Sequence, residues 1–213
     1  MKGLPFSEPM VKVWLEGRKT VTRRLIGGID SSFFVRERRS AENLYLFTKM
    51  SPDEKNPDGA IGIYVDKWVK PRYLPGETVY IRESCYICGS DTDGAPLADP
   101  PVVYRADGAR KSDEYPHVRS PRFMPEWAAR SHARIVSVRP ERVQEIPPQE
   151  VKKEGLVVQD FAGINMLALL GLTPETYMEQ VAIMEFQALW ESLHPGSWGR
   201  NDWVWRIELE KTA

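Results

Sequence analysis

Residues 17–24, Gly-Arg-Lys-Thr-Val-Thr-Arg-Arg (GRKTVTRR), decide how this chain is read, because four cations and two hydroxyls crowd into eight positions. Upstream, Ser7-Glu8-Pro9 supplies the N-cap, acidic first turn and early proline of a helix. Met10, Val11, Trp14 and Leu15 recur at helical spacing, and Gly17 fits the C′ position that ends such a helix. In a straight strand, residues 19 and 22 face opposite sides. Lys19 and Thr22 therefore converge only if the turn runs on through Thr20 and the strand begins near Val21. The competing reading is a basic loop with solvated side chains.

A chain of 213 residues suits one domain with insertions, or at most two small ones. Seventeen prolines and fifteen glycines point to short elements joined by loops, with more β than α. There is no run of about 18 apolar residues, so no membrane span is expected. MKGLPFSEPM has no secretory h-region, and Cys85 and Cys88 make no disulfide framework, so the expected setting is the cytoplasm. The net charge of −1 conceals an island: His117–Arg142 holds arginines 119, 122, 130, 134, 139 and 142 against Glu126 and Glu141. Two arginine-rich islands in a near-neutral chain suit a local anionic ligand better than a long nucleic-acid track; scattered surface arginines are the alternative.

Beyond the octet, 27–70 lacks sustained periodicity apart from a strand-like IGIYV at 61–65, and SPDEKNPDG (51–59) is loop chemistry. Pro75-Gly76 turns into the alternating strand 77–83, and 102–105 is a short strand. An extended run begins at Trp127, in which Ala133, Ile135 and Ser137 oppose Arg134, Val136 and Val138. Pro147-Pro148 opens a brief helix over 149–154 stopped by Gly155, and Thr173-Pro174-Glu175 caps a long one over 174–193. The last strand sets Trp203, Trp205, Ile207 and Leu209 against Val204, Arg206 and Glu208. Without a βαβ rhythm, this order favours an α+β fold around a small mixed barrel.

Several motifs fail on context. Cys85-Tyr-Ile-Cys88 has redox or metal spacing, but no second CxxC exists and His117, His132 and His194 are isolated. There is no P-loop, GxGxxG, HExxH or GxSxG. The Asp91-Thr-Asp-Gly loop lacks later calcium ligands, and GINMLALLGL (163–172) is too short to span a bilayer. Neither a metal nor a cofactor is expected.

FSEPMVKVWLEGRKTVTRRLI (6–26) resembles the start of ASCH-domain proteins, a branch of the PUA-like β-barrels; Gly17, Lys19, Thr22 and Arg24 fill that family's signature. The likeness continues in LPGETVYIRES (74–84), in RFMPEWAARSHARIVSVRPERVQEI (122–146), in EVKKEGL (150–156) and in the closing LWESLHPGSWGRNDWVWRIELE (189–210). These collinear blocks cover a little over half the chain. Intervals 27–70, 86–118 and 157–176 look like loop insertions into a single domain, and the Trp-rich ending resembles long phage and prophage versions.

Compact members of that family hydrolyse N4-acetylcytidine and related N4-acyl cytosines with a lysine, a threonine and a glutamate from a short helix. The resemblance implies Lys19, Thr22 and Glu154 in those roles, with Glu150 a rival for the carboxylate. It also leaves open single-stranded ribonuclease activity, or RNA and modified-base binding without chemistry. The expected partner is accordingly a modified nucleoside or single-stranded RNA. Lys19 acts as a base only when neutral, and an unperturbed lysine near pKa 10.4 is neutral in about one molecule per 2,500 at pH 7. Burial and Arg18, Arg23 and Arg24 push toward neutrality; a carboxylate opposes it. Alternatively, Lys19 stays charged and holds the oxyanion while Glu154 is the base. Further substrate contacts are expected from Arg24, from Arg82 with Glu83 as an Arg–carboxylate pair, from Arg122, and from Trp127 and Trp198 as stacking platforms, alongside Phe123. Trp203 and Trp205 are expected in the core.

Overall fold

Extended Ser7 and Pro9 in the first turn start helix α1 (Glu8–Leu15), which buries Val11, Val13 and Trp14. This and all that follows come from a computed structural model, which describes residues 1–39, 41–51, 63–87, 100–113, 117–156 and 173–212. Gly17 ends the helix at φ +75°, a conformation glycine adopts without Cβ strain. The N–H groups of Arg18 and Lys19 both reach back to the Val13 carbonyl, at 2.9 and 3.2 Å. Strand β2 (Val21–Leu25) follows, so the backbone is turn through Thr20 and strand from Val21.

The architecture is α+β, mostly sheet with few helices. The main sheet has five strands. Strand β1 (Lys2–Pro5) runs parallel to β6 (Thr78–Arg82), and β10 (His132–Arg142), β11 (Trp203–Thr212) and β2 continue antiparallel, giving the order β1-β6-β10-β11-β2. Strand β10 starts at His132; Trp127 lies ahead of it in a 3-10 turn, Glu126–Ala128. A register shift between Ile135 and Ser137 also changes the expected alternation. The extra residue inverts the parity, so Val138 is buried with Ala133 and Ile135 while Val136 is exposed.

The interval 27–70, read from the sequence as loop insertion, holds an antiparallel sheet of β3 (Phe34–Arg39), β4 (Leu44–Ser51) and β5 (Ile63–Val69). Its strands hide from a search for alternation for opposite reasons. β3 is exposed at nearly every residue, whereas β4 buries Tyr45, Leu46, Phe47 and Thr48 consecutively. Tyr45 and Phe47 pack edge-on against Trp205 and Trp203, which makes this sheet part of the main core. A third sheet sets β7 (Cys85–Ile87) between β8 (Val102–Tyr104) and β9 (Val118–Arg119).

Helices α2 (Pro148–Lys153) and α3 (Pro174–Leu193) form a second core from Val143, Val151, Phe186 and Trp190 against Val204 of β11. The last strand is thus buried on both faces, with its tryptophans on the side of the larger core. Among the described residues, no helix is long and apolar enough to cross a membrane. Residues 52–59 of the SPDEKNPDG stretch, Ile61-Gly62, Cys88, the Asp91 loop and the 163–172 patch lie outside the described residues.

Candidate functional site

The two turns that follow α1 and α2 meet, and glycine permits the contact. Gly155 sits at φ +94°, and a Cβ there would lie 2.4 Å from Val13 Cγ2 and 3.4 Å from Lys19 Cβ. The Thr20 N–H donates to the Lys153 carbonyl and the Thr20 carbonyl accepts from the Leu209 N–H, both at 2.8 Å. Lys19 is thereby pinned between the end of α2 and the last strand.

Its side chain is only 2% exposed. The Lys19 ammonium donates to Glu154 Oε2 and the Glu154 carbonyl at 2.8 Å, and to the Val21 carbonyl at 2.9 Å. The other carboxylate oxygen of Glu154 accepts from Arg23 Nη1 at 2.9 Å. Arg23 is the hub, because its Nε also reaches Glu141 Oε1 at 2.6 Å and its Nη2 reaches Glu150 Oε2 at 2.5 Å. Glu150 is held in turn by Arg206 at 2.6 Å. Glu154 is therefore the carboxylate in contact with Lys19, and Glu150 stands one ion pair further away.

Burial pulls the Lys19 ammonium below its ordinary pKa of 10.5; the charge and hydrogen bond of Glu154 oppose it, and Arg24 and Arg23 reinforce it. Burial also works against the charge on Arg23, but Glu154 and Glu141 outweigh it and raise that pKa. Hydrogen bonds from Arg206 hold Glu150 down at about 2, against burial and with help from Arg23. Glu141 moves the other way, pushed up by burial against the pull of Arg23. Replacing a buried ion cluster by apolar residues commonly leaves stability unchanged or better. This one joins Lys19, Arg23 and Arg206 to Glu141, Glu150 and Glu154.

Beside it is a cavity of about 530 Å³, lined by Lys19, Thr22, Arg23 and Glu154, with Phe6, Met10, Phe186, Leu189 and Trp190 among its apolar walls. That volume falls within the range of small-molecule sites. Thr22 is 4% exposed and paired opposite Ile207 in the sheet, and its hydroxyl has no hydrogen-bond partner among the described residues. A buried amine, a carboxylate that orients it and an unengaged hydroxyl thus border one hollow.

Of the other expected contacts, Arg24 lines this cavity and donates through Nη2 to the Pro5 carbonyl at 2.5 Å. Arg82 and Glu83 do not pair with each other. The Arg82 guanidinium bonds the Tyr80 hydroxyl and the Arg122 carbonyl, while both oxygens of Glu83 accept from Arg130 at 2.8 and 2.9 Å. Glu83 lies just past the end of β6 and is 2% exposed, and Arg130 meets its carboxylate there. Burial pushes the Glu83 carboxyl up, with Arg130 opposing. Phe123 (69% exposed), Trp127 (57%) and Arg122 stand at the surface away from the cavity. Trp198 packs edge-on against Phe186 at 6.0 Å, outside the cavity lining.

The structure adds residues that the sequence reading passed over. Arg23 was one basic residue among four. Arg105 and Ser84 line the cavity from the β7/β8 side, and His194, last seen as an isolated histidine, lines it from the end of α3. The His194 ring leans on Trp190 with centroids 4.5 Å apart, and burial, then Arg24, lowers its pKa. Cys85 is buried, its thiol pushed up to about 11 mainly by burial, and no metal-holding group of three or more His, Cys, Asp or Glu occurs among the described residues.

No family model, curated protein or solved structure matches this chain.

Proposed function

We propose that the cavity binds a pyrimidine nucleoside and that the protein hydrolyses N4-acylated cytidine, on an ASCH-like scaffold of the PUA type. One observation carries this reading: a buried Lys19–Glu154 pair stands beside the unengaged Thr22 hydroxyl on the lining of a largely apolar cavity. The barrel in this reading has its seam between β1 and β2, the two edges of the main sheet. At the cavity the Arg24 side chain of β2 reaches the Pro5 carbonyl of β1 in place of a backbone ladder.

Amide hydrolysis requires a nucleophile, a base and a proton donor for the leaving nitrogen. Neutral Lys19 takes the proton of Thr22 Oγ1 as that oxygen bonds to the acyl carbon. The C–N4 bond then breaks, Lys19 returns the proton to N4, and cytidine leaves. Water cleaves the acyl ester, releasing the carboxylic acid and restoring the threonine. Glu154 orients the amine throughout. Making an unperturbed lysine neutral at pH 7 costs about 4.6 kcal/mol. Burial, helped by Arg24 and Arg23 and opposed by Glu154, reduces that cost, and the net lowering favours Lys19 as the base.

The ribonuclease reading needs a basic groove joining the octet to the 117–142 island. Arg130, Arg134 and Arg139 of that island already face Glu83, Glu210 and Glu141, and Arg142 lies over Trp203. The test incubates the protein with N4-acyl cytidines and with labelled single-stranded RNA. Release of cytidine that is lost in Lys19→Ala, Thr22→Ala and Glu154→Gln supports the proposal. RNA cleavage without deacylation contradicts it, and nucleoside binding without turnover of either reduces the protein to a reader.

A further inference from the structure

The nucleoside cavity is lined by two guanidinium groups that hydrogen-bond to none of its carboxylates among the described residues. Lys19 faces Glu154, and Arg23 faces Glu141, Glu150 and Glu154. Arg24 and Arg105 line the same space, and the Nε atom of each is itself inaccessible and has no hydrogen-bond partner among the described residues. Arg24 has no carboxylate partner among those residues; its Nη2 is spent on the neutral Pro5 carbonyl. Arg105 forms an ion pair with Glu8, which also lines the cavity, at 3.6 Å between Nη2 and Oε2, beyond hydrogen-bond distance, and the Arg105 side chain is 41% exposed.

A buried N–H without an acceptor is costly, and at Arg24 the charge too lacks a carboxylate partner among the described residues. Proteins leave such donors unpaired where a ligand completes them. Two from separate elements, β2 and the 3-10 turn Arg105–Asp107 after β8, line one cavity here. The field of Arg24 is felt locally. After burial, Arg24 is the next cause lowering the pKa of His194, so the imidazole there is disfavoured as a competing cation. A guanidinium fork matches the oxygens of a phosphate, and two forks surround one better than they do a neutral ribose hydroxyl.

We infer that Arg24 and Arg105 form an anion subsite that receives a phosphate of the ligand, so that the cavity takes a nucleotide unit in preference to a free nucleoside. This rests on the nucleoside reading above and narrows it. In it, Lys19, Thr22 and Glu154 address the base end and the two arginines the phosphate end of one molecule.

Titration calorimetry on the full chain tests it with cytidine, cytidine 5′-monophosphate, a cytidine dinucleoside monophosphate lacking a terminal phosphate, and inorganic phosphate. At fixed salt the 5′-monophosphate binds about ten- to a hundredfold tighter than cytidine, the range for one or two charge-assisted hydrogen bonds. That ratio falls toward one in Arg24→Gln and, separately, in Arg105→Gln, each first checked for a cooperative thermal transition. A gain confined to the dinucleoside monophosphate and lost in both variants supports the same subsite with an RNA backbone phosphate as its occupant. Equal affinity for cytidine and both phosphorylated ligands overturns the subsite while leaving the nucleoside reading in place, as does a gain that survives both substitutions. Inorganic phosphate bound through both arginines, with no affinity for cytidine, upholds the anion subsite and removes the nucleoside reading.

Discussion

Glu154 and Glu83 are both buried, and both accept from cations through each carboxylate oxygen, yet their surroundings differ. Glu154 joins Lys19 to Arg23 at the edge of a cavity, next to a hydroxyl with no hydrogen-bond partner among the described residues. Glu83 is closed off: Arg130 occupies it bidentately, Asp107 takes the rest of Arg130, and the Met124 sulfur accepts the Glu83 backbone N–H at 3.1 Å. The Arg130–Glu83 pair ties the end of β6 to the segment leading into β10, and neither residue lines the cavity. A buried ion pair becomes a candidate site when it borders space and leaves a reactive neighbour unengaged; burial and charge alone do not make one.

The sharpest way to break that contrast is to remove one cation from each cluster. Lys19→Ala lowers deacylation of N4-acetylcytidine about 10²- to 10⁴-fold, the loss expected when an acid–base group is deleted. Arg130→Met leaves Glu83 buried without its main partner and destabilises the fold by about 3–5 kcal/mol in urea titration. Activity per folded molecule of that variant stays at the wild-type level. Equal losses of activity in the two variants would remove the distinction between the clusters.

Acid reads out the Lys19 cluster through Glu150. Its folded pKa of about 2 lies below the ordinary 4.5, so its contribution is complete above pH 4.5 and disappears as the pH falls toward 2. Roughly 3 kcal/mol goes over that window, partly offset by Glu141 and Glu83, whose carboxyls burial holds up and which relax on protonation. Urea midpoints measured at intervals from pH 5 to pH 2.5 show the slope, and Glu150→Gln flattens it. The pH–rate profile sharpens the same comparison. With neutral Lys19 as base, kcat/KM rises with pH and levels off above a Lys19 pKa that lies below 10.5. A profile that is flat from pH 6 to 10 assigns the base to Glu154. The smallest effect belongs to the surface: Trp127→Ala leaves nucleoside affinity unaltered and stability within about 0.5 kcal/mol, because the ring is exposed and off the cavity.

Local chemistry in the sequence brings Lys19 and Thr22 together, and the structure sets both on one cavity wall. Gly17 at a helix end implied a turn, the turn implied that Lys19 and Thr22 converge, and β2 does begin at Val21. The partners of that wall were not legible, because tertiary contacts unconstrained by spacing create them. Arg23 meets Glu141, Glu150 and Glu154 across more than a hundred residues of chain, and no periodicity marks such a hub. Arg105 gains its meaning only when the turn after β8 reaches the cavity that β2 lines. The sheet of β3, β4 and β5 escaped because one strand is exposed and its neighbour buried almost throughout, so neither alternates. Glu83 misled for the opposite reason. Its sequence neighbour Arg82 suggested a pair, but the strand ends at Arg82 and each residue found its partner elsewhere.

The central claim, that the hollow beside Lys19 is where a pyrimidine nucleoside binds, is tested most directly by nitrogen NMR of the lysine side chains in ¹⁵N-lysine-labelled protein titrated with N4-acetylcytidine. The Nζ signal of Lys19, assigned by its absence in Lys19→Arg, is expected to titrate below the exposed lysines and to shift saturably as the nucleoside is added. A Lys19 signal that titrates with the surface lysines and does not move at any nucleoside concentration would contradict the account.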